Sequence, residues 1–270
     1  DSLNEIRSDL KNQIDTSVDQ VNAIARQINE LNQQISKVES QGYLPNDLYD
    51  KRDLLVDQLS QFANVKVTQV PSGGESPDIA EGRYTVEIVT NTGDKVTLVD
   101  GENFKANQME VSYDADGMVD HFSIDGKQIP GSAISGKLQG LTEAFNKDYP
   151  DMLDSLNQLA YAFTQEFNKV HQQGYGLDGK NGYQFFNPLD GPDGAALNIS
   201  VSDDIVNHPD HIAASGNGDS GDGANAQHLA GVMTGKMTID GKETSLKAFY
   251  GDLIGKMAVN AQEANRMADN

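Results

Sequence analysis

Apolar residues return every seven positions through the opening 38 residues, in two interleaved seams. One seam reads Leu3, Leu10, Ser17, Ile24, Leu31, Val38 and the other Arg7, Ile14, Val21, Ile28, Ile35, with nine of the eleven positions aliphatic. The rhythm predicts one long helix, roughly 55 Å at 1.5 Å per residue, that lays its stripe against partner helices. The pattern stops near Gly42, and Pro45-Asn46-Asp47 supplies a turn and a cap. Leu48, Leu55, Leu59 and Phe62 then recur at helical spacing, so a second helix over about 48–63 returns antiparallel to the first.

From Val65 the period changes to two. Alternation over 65–70, 84–89 and 96–99 predicts strands, with Thr92-Gly93-Asp94 as a hairpin turn between the last two. A further pair, 109–113 and 118–124, flanks Asp114-Ala115-Asp116-Gly117. Helical spacing resumes at Leu138 and holds through Leu141, Phe145, Met152, Leu156, Leu159, Phe163, Phe167 and Val170. Pro150 falls inside that run, where it either kinks the helix or starts a second one with Asp148 as cap. Residues 174–223 are rich in Gly, Asp, Asn and Pro, with one short strand expected over 197–201. Two shorter helices, 224–233 and about 246–267, close the chain around a hairpin at Asp240-Gly241.

The predicted architecture is therefore α+β. An elongated helical-bundle domain, 1–64 and 132–270, is interrupted by a small antiparallel β domain, 65–131, and carries the Gly/Asp-rich loop region 174–223. No repeat of 20 to 50 residues points to a solenoid or propeller. Asp1 stands where an initiator Met would, with the heptad already running by Leu3, so the sequence is expected to be a piece of a longer protein.

Composition narrows the function. Acidic side chains number 41 against 20 basic, a formal charge of −21 that opposes binding to nucleic acid or an anionic membrane. A 37% hydrophobic share without Trp is a thin supply for 270 residues and suits a narrow core. With no cysteine there are neither disulfides nor thiolate metal sites. No apolar run approaches the ~20 residues of a membrane span, and the N-terminus lacks a signal-peptide layout.

Several stretches invite chemistry and are weighed against plainer readings. Gly174-Tyr175-Gly176-Leu177-Asp178-Gly179 and Gly216-Asn217-Gly218-Asp219-Ser220-Gly221 match a dinucleotide fingerprint, but the first follows a helix and the second carries acids that repel phosphate. His208-Pro209-Asp210-His211 sets two imidazoles three apart, and the intervening Pro argues for solvated loop histidines rather than zinc ligands. Asp and Asn over 217–222 suggest calcium, yet no twelve-residue loop with a terminal Glu is present. No Lys or Arg occurs from 181 to 235, where Asp190, Asp193, Asp203, Asp204, Asp210, Asp219 and Asp222 lie. Without Cys, a Gly-x-Ser-x-Gly elbow or Trp platforms, nucleophilic or glycosidic catalysis has no framework. The expectation is of no catalytic residue, no cofactor and no metal.

Three segments carry a resemblance. Residues 28–35 (Ile-Asn-Glu-Leu-Asn-Gln-Gln-Ile) with 45–53 (Pro-Asn-Asp-Leu-Tyr-Asp-Lys-Arg-Asp) form the first. Ala162, Phe163, Phe167, Asn168, His171, Gly174, Tyr175, Leu177, Asp178, Gly179, Gly182, Phe185 and Phe186 form the second. Ile212-Ala213-Ala214-Ser215 with 221–226 (Gly-Asp-Gly-Ala-Asn-Ala) form the third. In this order they resemble the flagellar hook-associated protein 1 family, the first hook-filament junction proteins. The resemblance implies a secreted, extracellular, non-enzymatic structural adaptor of the bacterial flagellum, exported unfolded without a cleaved signal. It implies as partners the flagellar hook protein, the second hook-filament junction protein, other copies of itself, and an export chaperone for a C-terminal segment this sequence lacks. The family's terminal helices, which pair in the axial tube, are not in this sequence, so the chain by itself is expected to be monomeric. His171 and Asn168 read as a hydrogen-bond cluster at a helix C-terminus. Rival readings are a filament- or adhesin-like extracellular subunit and a secreted Asp-dependent hydrolase using residues 174–223.

Overall fold

The computed structural model describes the backbone of residues 2–269 and the side chains of residues 4–259, so Leu3 of the first seam lies outside the described side chains. The chain divides into two compact units, Asp1–Tyr149 with Ala261–Asn270, and Pro150–Asn260.

In the first unit, α1 (Ser2–Glu39) and α2 (Asn46–Phe62) form the expected helical pair. Seven strands follow: β1 (Val65–Val70), β2 (Arg83–Val89), β3 (Lys95–Asp100), β4 (Lys105–Ala106), β5 (Met109–Tyr113), β6 (Val119–Ile124) and β7 (Lys127–Pro130). They make two antiparallel meanders, β1-β2-β3-β4 and β5-β6-β7. Then α3 (Gly136–Glu143) runs through a π-helical turn, Ala144–Asp148, into α4 (Tyr149–His171). Pro150 thus neither begins a capped new helix nor breaks the run with a loop. It lacks an N–H to return to residue 146, and the wider turn just before it absorbs the missing bond.

The inner seam of α1 is the spine of this unit. Ile14, Val21, Ile28 and Ile35 are fully buried, and Val18 and Ala25 fill the positions between them. What covers them is a correction to the helix-on-helix expectation: the stripe packs on β2, β3 and β5 as well as on α2 and α3. A heptad fixes the width and pitch of an apolar face and leaves its cover open. Each meander has one apolar face, seen in the strict alternation of Tyr84, Val86 and Ile88 on β2, and neither is stable alone. The segment expected as an inserted β domain is therefore an insertion in sequence, while in packing its strands share one core with α1, Leu59, Phe62, Leu138 and Phe145.

Polar residues interrupt the apolar stripe at Asn22, Asn32 and Glu39, all buried. Asn32 donates from Nδ2 to the Tyr84 carbonyl at 2.8 Å and accepts the Tyr84 N–H at 2.9 Å. Asn22 does the same to Met109, at 2.9 and 2.7 Å. Asn146 repeats the pairing with Val119, at 2.8 and 2.9 Å. Near the end of α1 the Glu39 carboxylate accepts from the Tyr49 and Ser72 hydroxyls and from the Gly82 N–H at 3.0 Å. The Gly82 carbonyl takes Arg52 at 2.6 Å, and Arg52 also meets Glu81 at 2.7 Å with its guanidinium carbon 3.3 Å from the Tyr84 ring centroid. Gly82 sits at φ +71°, and a Cβ there would stand 2.3 Å from the Val70 carbonyl oxygen, so only glycine fits between these two charges.

The second unit holds the rest of α4, the short helices α5 (Ala195–Asn198), α6 (Asp203–Asn207) and α7 (Ala224–Gly231), the hairpin β8 (Met237–Ile239) and β9 (Lys242–Thr244), and α8 (Leu246–Asp269) up to residue 260. The strand expected over 197–201 is instead the end of the helical turn α5, begun by Gly194 in the left-handed region; Asn198 closes it onto the Gly194 carbonyl at 3.0 Å. Val201 keeps a single bridge to Phe186.

Two outcomes follow for the first unit. Asn32→Ala leaves the Tyr84 N–H and C=O buried and unpaired, and is expected to lower the unfolding free energy by about 2–4 kcal/mol in urea denaturation. Burial, with the Glu39 bond as a second cause at Tyr49, pushes the phenols of Tyr49 and Tyr84 up to about 12. An unfolded tyrosine ionises near pH 10, so between about pH 10 and 12 unfolding releases protons that the folded state retains. Stability is complete below that window and falls as pH rises through it; Tyr49→Phe should flatten the fall in urea midpoints measured across it.

Candidate functional site

Phe163, Phe167 and His171 lie four residues apart on one face of α4, and the loop that follows folds back over them. Phe167 meets Phe185 at 5.0 Å, Phe186 at 5.3 Å and Phe163 at 5.4 Å between ring centroids. Beside this cluster Asn168 donates to the Phe186 carbonyl at 2.9 Å and accepts the N–H groups of Phe185 and Phe186 at 2.9 and 2.8 Å. The aromatic packing supplies the burial and the amide fixes the register.

His171 is completely buried. Its Nε2 accepts the Ala213 N–H at 2.9 Å, so the ring proton sits on Nδ1 and is donated to the Tyr183 carbonyl at 2.8 Å. The Ala213 carbonyl is taken by Asn225 at 2.7 Å. Gly174 passes so close to Asn225 that a Cβ would lie 2.1 Å from its Nδ2. Tyr175 and Ser215 exchange backbone bonds at 2.8 and 3.2 Å. The second and third sequence signatures are thus one structure, with His171 and Asn225 clasping the same residue. The helix-end cluster expected at Asn168 and His171 is present and reaches further along the chain than their spacing implied.

The fingerprint-like loops have no phosphate cradle. Asp222 accepts the Gly216 N–H at 2.7 Å, the Ser215 hydroxyl at 3.0 Å and the Ala224 N–H at 3.1 Å, and the N–H groups, Gly216's foremost, hold its carboxyl below the usual range. The Gly218 N–H goes to Ser215 and that of Asp219 to Asn217. In the first loop the Gly176 N–H bonds Lys180 and that of Leu177 bonds Asp210. The N–H groups of Gly176, Leu177, Gly179, Gly216, Asn217, Gly218 and Asp219, which a pyrophosphate would need, are thus taken within the chain. Asp222 and Asp219 are engaged likewise, while Asp190 and Asp193, in the loop before α5, and Asp203, at the start of α6, are exposed.

The histidine pair departs from its sequence reading. Pro209–His211 forms a 3-10 turn. His208 is exposed, but the His211 side chain is only 16% exposed and stacks on Tyr183 with centroids 4.0 Å apart and planes 5° from parallel. Asp204 stands 3.0 Å from its Nδ1 and Asp178 3.8 Å from its Nε2. The carboxyl of Asp178 is held low, first by the Tyr183 hydroxyl at 2.7 Å and then by the Lys180 N–H. Spacing alone hid this grouping, because Asp178 and Tyr183 come from a loop about thirty residues earlier.

Comparison with known proteins places these features in a family. Residues 1–186 match the family model described as the flagellar hook-associated protein FlgK helical domain. Flagellar hook-associated protein 1 of Bacillus subtilis is 39% identical over 288 residues, covering all of this chain and 57% of that protein. The Salmonella typhimurium protein of the same name is 34% identical over 64% of this chain and 30% of its own length. The structure of the flagellar hook junction protein FlgK from Burkholderia pseudomallei matches 69% of this chain and 32% of its own, at 26% identity and a TM-score of 0.52. The chain spans little more than half of the Bacillus protein and about a third of the other two.

Burial lowers the His171 imidazole below its ordinary value. It is neutral when folded, whereas an unfolded histidine takes a proton below about pH 6.5, so its contribution is complete above that pH and is lost as pH falls below it. His171→Leu should lower stability by about 2–4 kcal/mol at neutral pH and remove that acid-side slope, as read from urea midpoints between about pH 7 and 5.

Proposed function

The chain belongs to the flagellar hook-associated protein 1 family, and on that premise we propose that it forms the body of a structural adaptor joining the hook to the filament at the hook-filament junction. It works by packing and carries no catalytic centre. Its partners are the hook protein, the second hook-filament junction protein and further copies of the full-length protein, with an export chaperone before secretion. Its place is the extracellular part of the bacterial flagellum.

One observation carries this reading. Five buried polar residues of the three signatures, Asn32, Arg52, Asn168, His171 and Asn225, are bonded to the chain's own backbone, so this part of the family resemblance resides in a scaffold. A mechanical joint needs parts that hold their geometry under load, and buried, doubly bonded side chains provide that. The acidic surface, at −21 overall, keeps unassembled copies apart in solution.

Cells lacking the full-length protein are expected to build hooks without filaments and to shed filament subunits into the medium. The wild-type gene restores filaments, and a full-length gene carrying Asn168→Ala with His171→Leu does not. Electron microscopy of the hooks decides it, and normal filaments on the deletion strain defeat the reading.

A further inference from the structure

The described side chains hold one grouping in which three potential metal ligands converge: His208, Asp210 and His211, with one ligand atom of each lying within 4.8 Å of the others. The 3-10 turn makes this possible, because residues three apart eclipse one another along it. The two imidazoles stack with centroids 4.9 Å apart, and the His211 N–H closes the turn onto the His208 carbonyl at 2.9 Å.

The turn is also anchored from outside. The Asp210 carbonyl accepts the Leu177 N–H at 2.7 Å, and a Cβ on Gly176 would come within 2.6 Å of that same oxygen. His211 is pinned by the Tyr183 ring and has a carboxylate beside each ring nitrogen, Asp204 at Nδ1 and Asp178 at Nε2. Whichever nitrogen takes an ion, the other has an acidic partner that fixes the tautomer and the ring orientation. Lys180 stands 3.8 Å from Asp178, but no Lys or Arg lies between residues 181 and 235 in sequence, where Asp204 and Asp210 fall.

We propose that His208, Asp210 and His211 form a binding site for a divalent transition-metal ion of the zinc class, with Asp204 and Asp178 as supporting carboxylates. Two imidazoles and one carboxylate make a three-ligand set that leaves a fourth position to water. Nitrogen donors select such an ion over calcium or magnesium, which take oxygen ligands. The site adjoins the His171 clasp through Tyr183, whose carbonyl takes His171 and whose ring stacks on His211, and it stands whether or not the adaptor reading holds.

Titration of the chain with zinc chloride near neutral pH, against a chromophoric chelator, tests it. One equivalent should bind saturably and raise the thermal midpoint. His208→Ala and Asp210→Ala, both exposed and outside the phenylalanine cluster, should each weaken zinc binding at least about tenfold. Circular dichroism should show both variants folded as wild type, and His228→Ala, exposed on α7, should bind zinc unchanged. Three results overturn the proposal: no saturable zinc binding by the wild type, zinc binding in folded His208→Ala and Asp210→Ala equal to wild type, or calcium bound as tightly as zinc.

Discussion

A side-chain amide that mimics a peptide holds this chain together. Where a helix packs on a strand end or a loop, it meets backbone N–H and C=O groups with no ladder partner, and leaving one buried and unpaired costs about 1–3 kcal/mol. Asparagine is the shortest residue that presents one acceptor and one donor side by side, as another strand would. Asn22, Asn32, Asn146 and Asn168 each answer both groups of a single residue or of a neighbouring pair. Aspartate has no donor for the carbonyl and glutamine is a methylene longer. Because the pairings need one register, they turn apolar contact, which tolerates sliding, into a fixed joint.

Glu39 and Arg52 extend the same logic to charge. Each is buried, and the two flank the Gly82 peptide, one accepting its N–H and the other donating to its carbonyl. A buried charge is tolerable when most of its hydrogen-bonding capacity is filled, as it is here apart from the Arg52 Nε–H, and removing one partner exposes the whole desolvation penalty of the other. In the second unit His171 and Asn225 do to Ala213 what Glu39 and Arg52 do to Gly82. Both units therefore fix a loop by gripping one residue at its N–H and its C=O.

Much of this was legible in the residues. The period change at Val65, the turns at Gly93 and 114–117, and the heptad seams all predicted the elements that form, because each rests on local geometry. The seam did not disclose its cover, since sheet faces and helices present similar apolar surfaces to Ile14, Val21 and Ile28. Asn32 and Glu39 fall on the buried stripe, and a polar residue in line with four aliphatic ones was the available signal for their role. The expected strand over 197–201 failed because Gly194 and Asn198 favour a helical turn that β-branched Ile199 and Val201 cannot override. His211 was hidden for a different reason: its neighbours Tyr183 and Asp178 arrive through a loop whose path no periodicity encodes.

The strand order β1-β2-β3-β4 and β5-β6-β7 has a kinetic consequence. Within each meander a strand pairs with its neighbour in sequence, through connections of two to five residues except for the longer 71–82 link between β1 and β2, so the closure entropy is modest. The α1 bonds are different: Asn32 reaches 52 residues along the chain to Tyr84, Asn22 reaches 87 to Met109, and Arg7 reaches 109 to Asp116. Distant contacts of this kind govern how fast a small domain folds. The barrier to refolding the first unit is thus concentrated in bringing one helix and two meanders together, since neither meander is stable alone.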